Sequence, residues 1–206
     1  IFVMYETFYG NKKGLTVKDL VTTGIFSALL CIAMFLCGIP CAINPVTTFY
    51  TSVGSAILGG PIFLLLVAKV PKRGPIIIAG ILIGLVSFLT GMHWGQDLGY
   101  VISGILADLI AGSKKYKSVK LNILAYAVFC CGLTGAYIVY FIDPAGWTAA
   151  MLANGTTQSY IDTMNSVAGP AVIIGMYVGT FLVAFLSGWV GKKLLKKQFE
   201  KAGITA

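Results

Sequence analysis

The stretch "GMHWGQDLGY", residues 91–100, sets the only histidine of the chain, His93, beside Trp94, Gln96 and Asp97. An imidazole, an indole, an amide and a carboxylate so close together suit either catalysis or the grip of a small polar ligand. Catalysis finds little support. One histidine cannot build a His-rich metal site, the chain has no HExxH and no GxSxG sequence, and no helical face carries paired acids. The sequence therefore assigns no catalytic residue, no metal ligand and no cofactor, and the chain is expected not to be an enzyme. Ligand binding fits better, because flat rings offer stacking surfaces while amide, carboxylate and imidazole groups offer hydrogen bonds, a mixture suited to a small planar heterocycle. Gly91, Gly95 and Gly99 free the backbone to turn and aim the four side chains into one cup. Asn44 and Tyr50 from "GIPCAINPVTTFYTS", and Asn154 and Gln158 from "IDPAGWTAAMLANGTTQSYIDTMNS", are expected to close it. The competing reading makes Trp94 an interfacial anchor and Asp97 a helix N-cap. Trp147 is read as an anchor of that kind.

The elements that must position these residues are apolar. Of 206 residues, 57% are hydrophobic and 11% charged, against about 25% charged in an average soluble domain. Apolar runs near 18–38, 50–70, 75–92, 98–113, 121–142 and 168–191 approach the length that crosses a hydrocarbon core about 30 Å thick. They predict an all-α integral membrane protein, a six-transmembrane-helix bundle. Residues 1–14 read as an N-terminal tail, 15–197 as the membrane substrate-binding domain and 198–206 as a C-terminal cytoplasmic tail. Gly59, Gly60 and Pro61 make the second span kinked or late to start. Every Lys and Arg falls on one side of this arrangement, including Lys18, Arg73, Lys117 and Lys193, and the positive-inside rule makes that side, with both termini, cytoplasmic. The net charge of +8 thus flanks a lipid bilayer and calls for no nucleic acid.

Small residues mark where helices can approach closely. Gly80, Gly84, Ser87 and Gly91 form one stripe, Gly104, Ala107 and Ala111 another, and Gly24, Ala28 and Cys31 a third, which suits either the bundle interior or a helix of another protein. The five cysteines read as packing residues, since Pro40 interrupts the Cys37–Cys41 turn and no CxxC occurs. Asp108 should pair with lysine or cap backbone near the inner helix end. No P-loop and no ion-coupling network of buried acids and arginines is present. If the protein moves a solute, another subunit supplies the energy.

The short spans without energy machinery, the opening "LTVKDLVTTGIFSALL" and the stretch "ILADLIAG" together resemble the substrate-binding S components of energy-coupling factor (ECF) vitamin transporters, over residues 15 to about 197. The opening looks most like the subgroup linked with hydroxymethylpyrimidine or pyridoxine-type substrates. The resemblance implies a bacterial plasma-membrane protein that binds a small vitamin or precursor outside the cell and works with a transmembrane T component and two ATPases. It implies a partner surface at Gly24 and Ala28, where glycine replaces the family's first alanine. It also implies a gating loop at "PCAINPVTTFYTS". The alternatives are an intramembrane redox or hydrolytic enzyme and a structural or channel-forming membrane subunit.

Overall fold

The computed structural model of the chain describes residues 14–201. The first helix, α1 (Val17–Ile43), starts where Thr16 and Asp19 cap one another: the Thr16 hydroxyl accepts the Asp19 N–H at 3.2 Å, and the Asp19 carboxylate accepts the Thr16 N–H at 2.8 Å. It buries Thr23, Leu30, Met34 and Gly38 and leaves Ile25, Ile32 and Leu36 exposed, the division expected of a helix with lipid on one side. A 3₁₀ turn, Thr48–Tyr50, leads into α2 (Thr51–Lys69). Then come α3 (Pro75–Leu89), α4 (Trp94–Gly112), α5 (Val119–Cys130), a 3₁₀ turn at Cys131–Thr134 and α6 (Gly135–Ile142). Two short helices, α7 (Pro144–Ala153) and α8 (Gln158–Val167), precede α9 (Pro170–Leu194) and α10 (Lys196–Lys201).

Helix α2 packs between α1 and α9, and its Gly60 lies so close to α9 that an added Cβ would stand 2.5 Å from the Ser187 carbonyl carbon. Pro61 has no N–H for the Ile57 carbonyl one turn back. Ser187 Oγ donates to that carbonyl at 2.6 Å and accepts the Gly60 N–H, while the Tyr126 hydroxyl donates to the Ala56 carbonyl at 2.9 Å. Neighbouring side chains thus satisfy backbone groups that Pro61 would strand in a medium without water. The second span therefore runs without a break through its proline. Around this seam Phe63 packs on Tyr126 and Phe129 with ring centroids 5.3 and 5.5 Å apart.

Among the described residues four segments are long and apolar enough to cross a membrane: Val17–Ile43, Thr48–Lys69, Val119–Ile142 and Pro170–Leu194. This corrects the expected six-helix bundle. Helix α3 has 15 residues, a rise of about 22 Å against a core of about 30 Å. Its pattern stops early because Gly91 turns the chain with φ +77°. Helix α4 is longer, but Gln96, Asp97 and Asp108 dilute its apolar content. The two pair closely, with Gly80 against the Tyr100 carbonyl and Gly84 against that of Asp97. They return the chain to the end it left, so four spans still gather the basic segments: Lys72 pairs with Asp19 at 2.6 Å, and Arg73 stands 4.0 Å from Asp108. Asp108 also accepts from the Gly74 N–H, the backbone cap that was one of its two expected roles, and from the Tyr116 hydroxyl. The expected terminal tails fall largely on residues 1–13 and 202–206, which lie outside the described residues.

Candidate functional site

His93 is the N-cap of α4, and its ring is 4% exposed. Its Nδ1 accepts the Gly95 N–H at 3.1 Å, which leaves the proton of the neutral ring on Nε2. Burial lowers its pKa from 6.5 and favours that neutral form. One turn into α4, Gln96 donates through Nε2 to Ser87 Oγ of α3 at 3.2 Å, which leaves its carbonyl oxygen without a bonded donor. Trp147, brought over by α7, lies nearly parallel to His93 with centroids 6.1 Å apart and meets Tyr140 edge-on at 5.1 Å. It is 3% exposed and its indole N–H finds no acceptor among the described residues.

These three side chains form one wall of a cavity of about 610 Å³. Met34 and Phe35 of α1, Thr51 and Ser55 of α2, and Leu133 and Tyr137 of the α5–α6 segment line it as well. The hydroxyls among them are engaged with backbone: Tyr137 and Thr51 donate to the Thr48 carbonyl, and Ser55 donates to that of Met34 at 2.9 Å. Among the described residues no Asp, Glu, Lys or Arg lines the cavity. A charged ligand would lose its hydration there without gaining a counter-charge, so the lining suits an uncharged molecule with an apolar body and a hydrogen-bonding edge. Among the described residues no three His, Cys, Asp or Glu side chains gather as a metal site.

The cavity is roofed by α7 and α8. Tyr160 donates to the Ala42 carbonyl at the end of α1, and Asn154 Nδ2 donates to the Gly91 carbonyl at 2.9 Å. The expected gating loop after the first span is instead short and tied to itself. Pro40 lies inside α1, Asn44 accepts the Val46 N–H, and Thr47 donates to the Cys41 carbonyl at 2.9 Å.

Of the side chains expected to form the cup, the structure brings His93 and Gln96 to this cavity. Trp94 is half exposed and covers only the outer face of the His93 ring, at 5.2 Å. Asp97 turns away from the cavity; its oxygens are buried without a hydrogen-bond donor, and burial raises its pKa. The N-cap place suggested for Asp97 belongs to His93. Asn44 and Asn154 spend their amides on chain turns, Gln158 donates to Asp162, and the Tyr50 hydroxyl lies against Gly175, so none of the four lines the cavity. Trp147, read as a surface anchor, sits inside. Tyr137 and Met34 were hidden within apolar runs, whereas Tyr160 stood in the third polar segment, with nothing to single it out from its neighbours. On α1, Gly24 has open space where a Cβ would stand and Ala28 is exposed, so this part of the small-residue stripe faces away from the bundle, while Cys31 faces in.

Residues 17–201 match the family model described as "Hypothetical bacterial integral membrane protein (Trep_Strep)". The chain belongs to the Trep_Strep family. No curated protein and no solved structure matches it. As a Trep_Strep protein it is a multi-pass integral protein of the bacterial plasma membrane, consistent with its four long apolar segments.

Proposed function

We propose that this Trep_Strep protein is a substrate-capture subunit: it binds a small, uncharged, ring-containing molecule, a vitamin or vitamin precursor, and delivers it to an importer built from a T component and two ATPases. The observation that carries the reading is the charge-free cavity walled by His93, Gln96 and Trp147. Its volume falls within the roughly 300–1,000 Å³ of small-molecule sites. The buried indole N–H without an acceptor supports a ligand, because such donors ordinarily find a partner. The basic end of the bundle faces the cytoplasm by the positive-inside rule, which puts the cavity in the outer half. The resemblance to ECF S components adds the external motor, in keeping with a chain that has no ATP-binding sequence, and adds the docking surface at Gly24 and Ala28. That surface is open in the fold.

The test is thermal stabilisation of the purified chain by a panel of vitamins and precursors that includes hydroxymethylpyrimidine and pyridoxine. A ligand at 100 times its dissociation constant adds about 2.7 kcal/mol to stability. A true ligand raises the melting temperature of the native chain and raises that of a Trp147→Ala chain far less. A panel in which no compound stabilises the native chain, together with failure to copurify a T component, would return the protein to a structural role.

A further inference from the structure

Most residues lining the cavity are buried, but four are exposed: Ile39 and Met92, at 50% and 42%, Thr90, and Thr157 on the α7–α8 cover. The first three lie on the outer half of α1 and the turn after α3, and mark where the cavity reaches the surface on its side. The residues flanking them are strongly apolar and exposed: Leu36 and Ile43 on α1, Phe88 and Leu89 at the end of α3. Such a surround belongs in lipid, since four large apolar side chains facing water around one opening would be costly. The length of α3 gives the same depth independently. It starts beside Lys72 and Arg73 at the basic end and rises about 22 Å, so it stops about 8 Å short of the far side of a 30 Å core. Helix α1, with 27 residues and a rise of about 40 Å, continues past it. Over the top, the α7–α8 cover is fastened by Tyr160 to Ala42 and by Asn154 to Gly91. Two hydrogen bonds latch the end, and three of the four exposed lining residues lie at the side.

We propose that the ligand reaches the cavity sideways, from the outer half of the bilayer, through the gap between α1 and the turn after α3. The ligand is therefore an uncharged amphiphile that partitions into the membrane, with an apolar body and one hydrogen-bonding edge. This rests on the cavity being a ligand site. The apolar body lies along Met34, Phe35 and Leu133, and the polar edge meets the His93 Nε2–H and the Gln96 carbonyl oxygen. The absence of lining charge fits molecules that dissolve in lipid without an ionic group.

Two probes with one aromatic body separate the possibilities: uncharged N-phenyl-1-naphthylamine and its sulfonated relative 1-anilinonaphthalene-8-sulfonate. In a chain carrying Trp94→Phe and Trp189→Phe, Trp147 is the only tryptophan left, so the saturable part of the energy transfer in lipid nanodiscs, above the linear rise from probe dissolved in lipid, reports cavity occupancy. The expected result is saturable transfer with the uncharged probe and at least tenfold weaker transfer with the sulfonate. Ile39→Phe and Met92→Phe should slow filling by about tenfold, while Ile43→Phe, exposed but outside the lining, leaves the rate unchanged. Filling that is unaffected by Ile39→Phe and Met92→Phe but slowed by Thr157→Phe on the α7–α8 cover would overturn the lateral route in favour of one through the cover. Absence of transfer from either probe, with stabilisation by water-soluble pyridoxine, would overturn the membrane-partitioning class and leave the ligand site standing. Absence of both would remove the site and the route together.

Discussion

His93 carries two duties that one proton would set against each other. Its Nδ1 must be bare to accept the Gly95 N–H and cap α4, and its ring must stay neutral to lie buried against Trp147. Because burial holds its folded pKa below 6.5, the unfolded chain takes up that proton more readily. The stability it contributes is therefore present above pH 6.5 and is lost as pH falls through the lower folded value. Thermal melts of the native chain should show the midpoint dropping as the pH falls below 6.5, and His93→Asn, which can still cap the helix, should flatten the dependence. Asp97 works in the opposite sense, since its raised pKa penalises the carboxylate as pH rises, so Asp97→Asn should leave the low-pH loss in place. A second contrast at this scale sets Trp147 against Trp94. Calorimetry with a ligand from the stabilising panel should show Trp147→Ala weakening affinity at least tenfold, about 1.4 kcal/mol, whereas half-exposed Trp94 can be replaced with little effect.

At the scale of elements, the seam between α2 and α9 allows no added volume. An added Cβ at Gly60 meets α9 backbone at 2.5 Å, while one at Gly24 meets nothing. Gly60→Ala should therefore destabilise the bundle by about 1–3 kcal/mol, read as a lowered melting midpoint, and Gly24→Ala should not lower the midpoint and should raise it slightly, since Ala is the better helix former by about 0.5–1 kcal/mol. Removing the hydroxyl in Ser187→Ala frees the Ile57 carbonyl beside Pro61 and should cost about 1–3 kcal/mol. The open stripe of α1 makes the complementary test. Gly24→Trp or Ala28→Trp should block assembly with a T component in copurification while ligand binding by the isolated chain survives; normal assembly by both variants would place the docking surface elsewhere.

Across the whole molecule, the ends of the helices sort by charge. Lys72 with Asp19 and Arg73 with Asp108 fasten three segments at the basic end, and the cavity lies toward the other. In a chain whose native cysteines are replaced, a single cysteine at position 117 should react with a membrane-impermeant thiol reagent only from the cytoplasmic side, and one at position 155, on the turn between α7 and α8, only from outside. Labelling at 117 from outside would invert the arrangement.

Membrane residence and the single-sided distribution of Lys and Arg were legible from the chain alone, because hydropathy and charge act residue by residue against a slab of fixed thickness. That His93 and Gln96 would share one polar site was legible for a related reason: polar side chains between apolar runs are costly unless they are gathered and partnered. The number of spans was not, since α3 and α4 are apolar enough to suggest crossing, yet where a helix stops depends on a glycine turn and on what packs against it. Nor was the wall of the cavity. Periodicity tells which residues share a face of one helix, but Trp147 reaches His93 only because α7 folds back over α4, 54 residues away in sequence, and Met34 and Tyr137 become lining only where their helices diverge. Those are relations between elements distant along the chain, and the close approach of backbones at glycines and the hydroxyl repairs around Pro61, which fix how the helices sit, exist only once the helices are together.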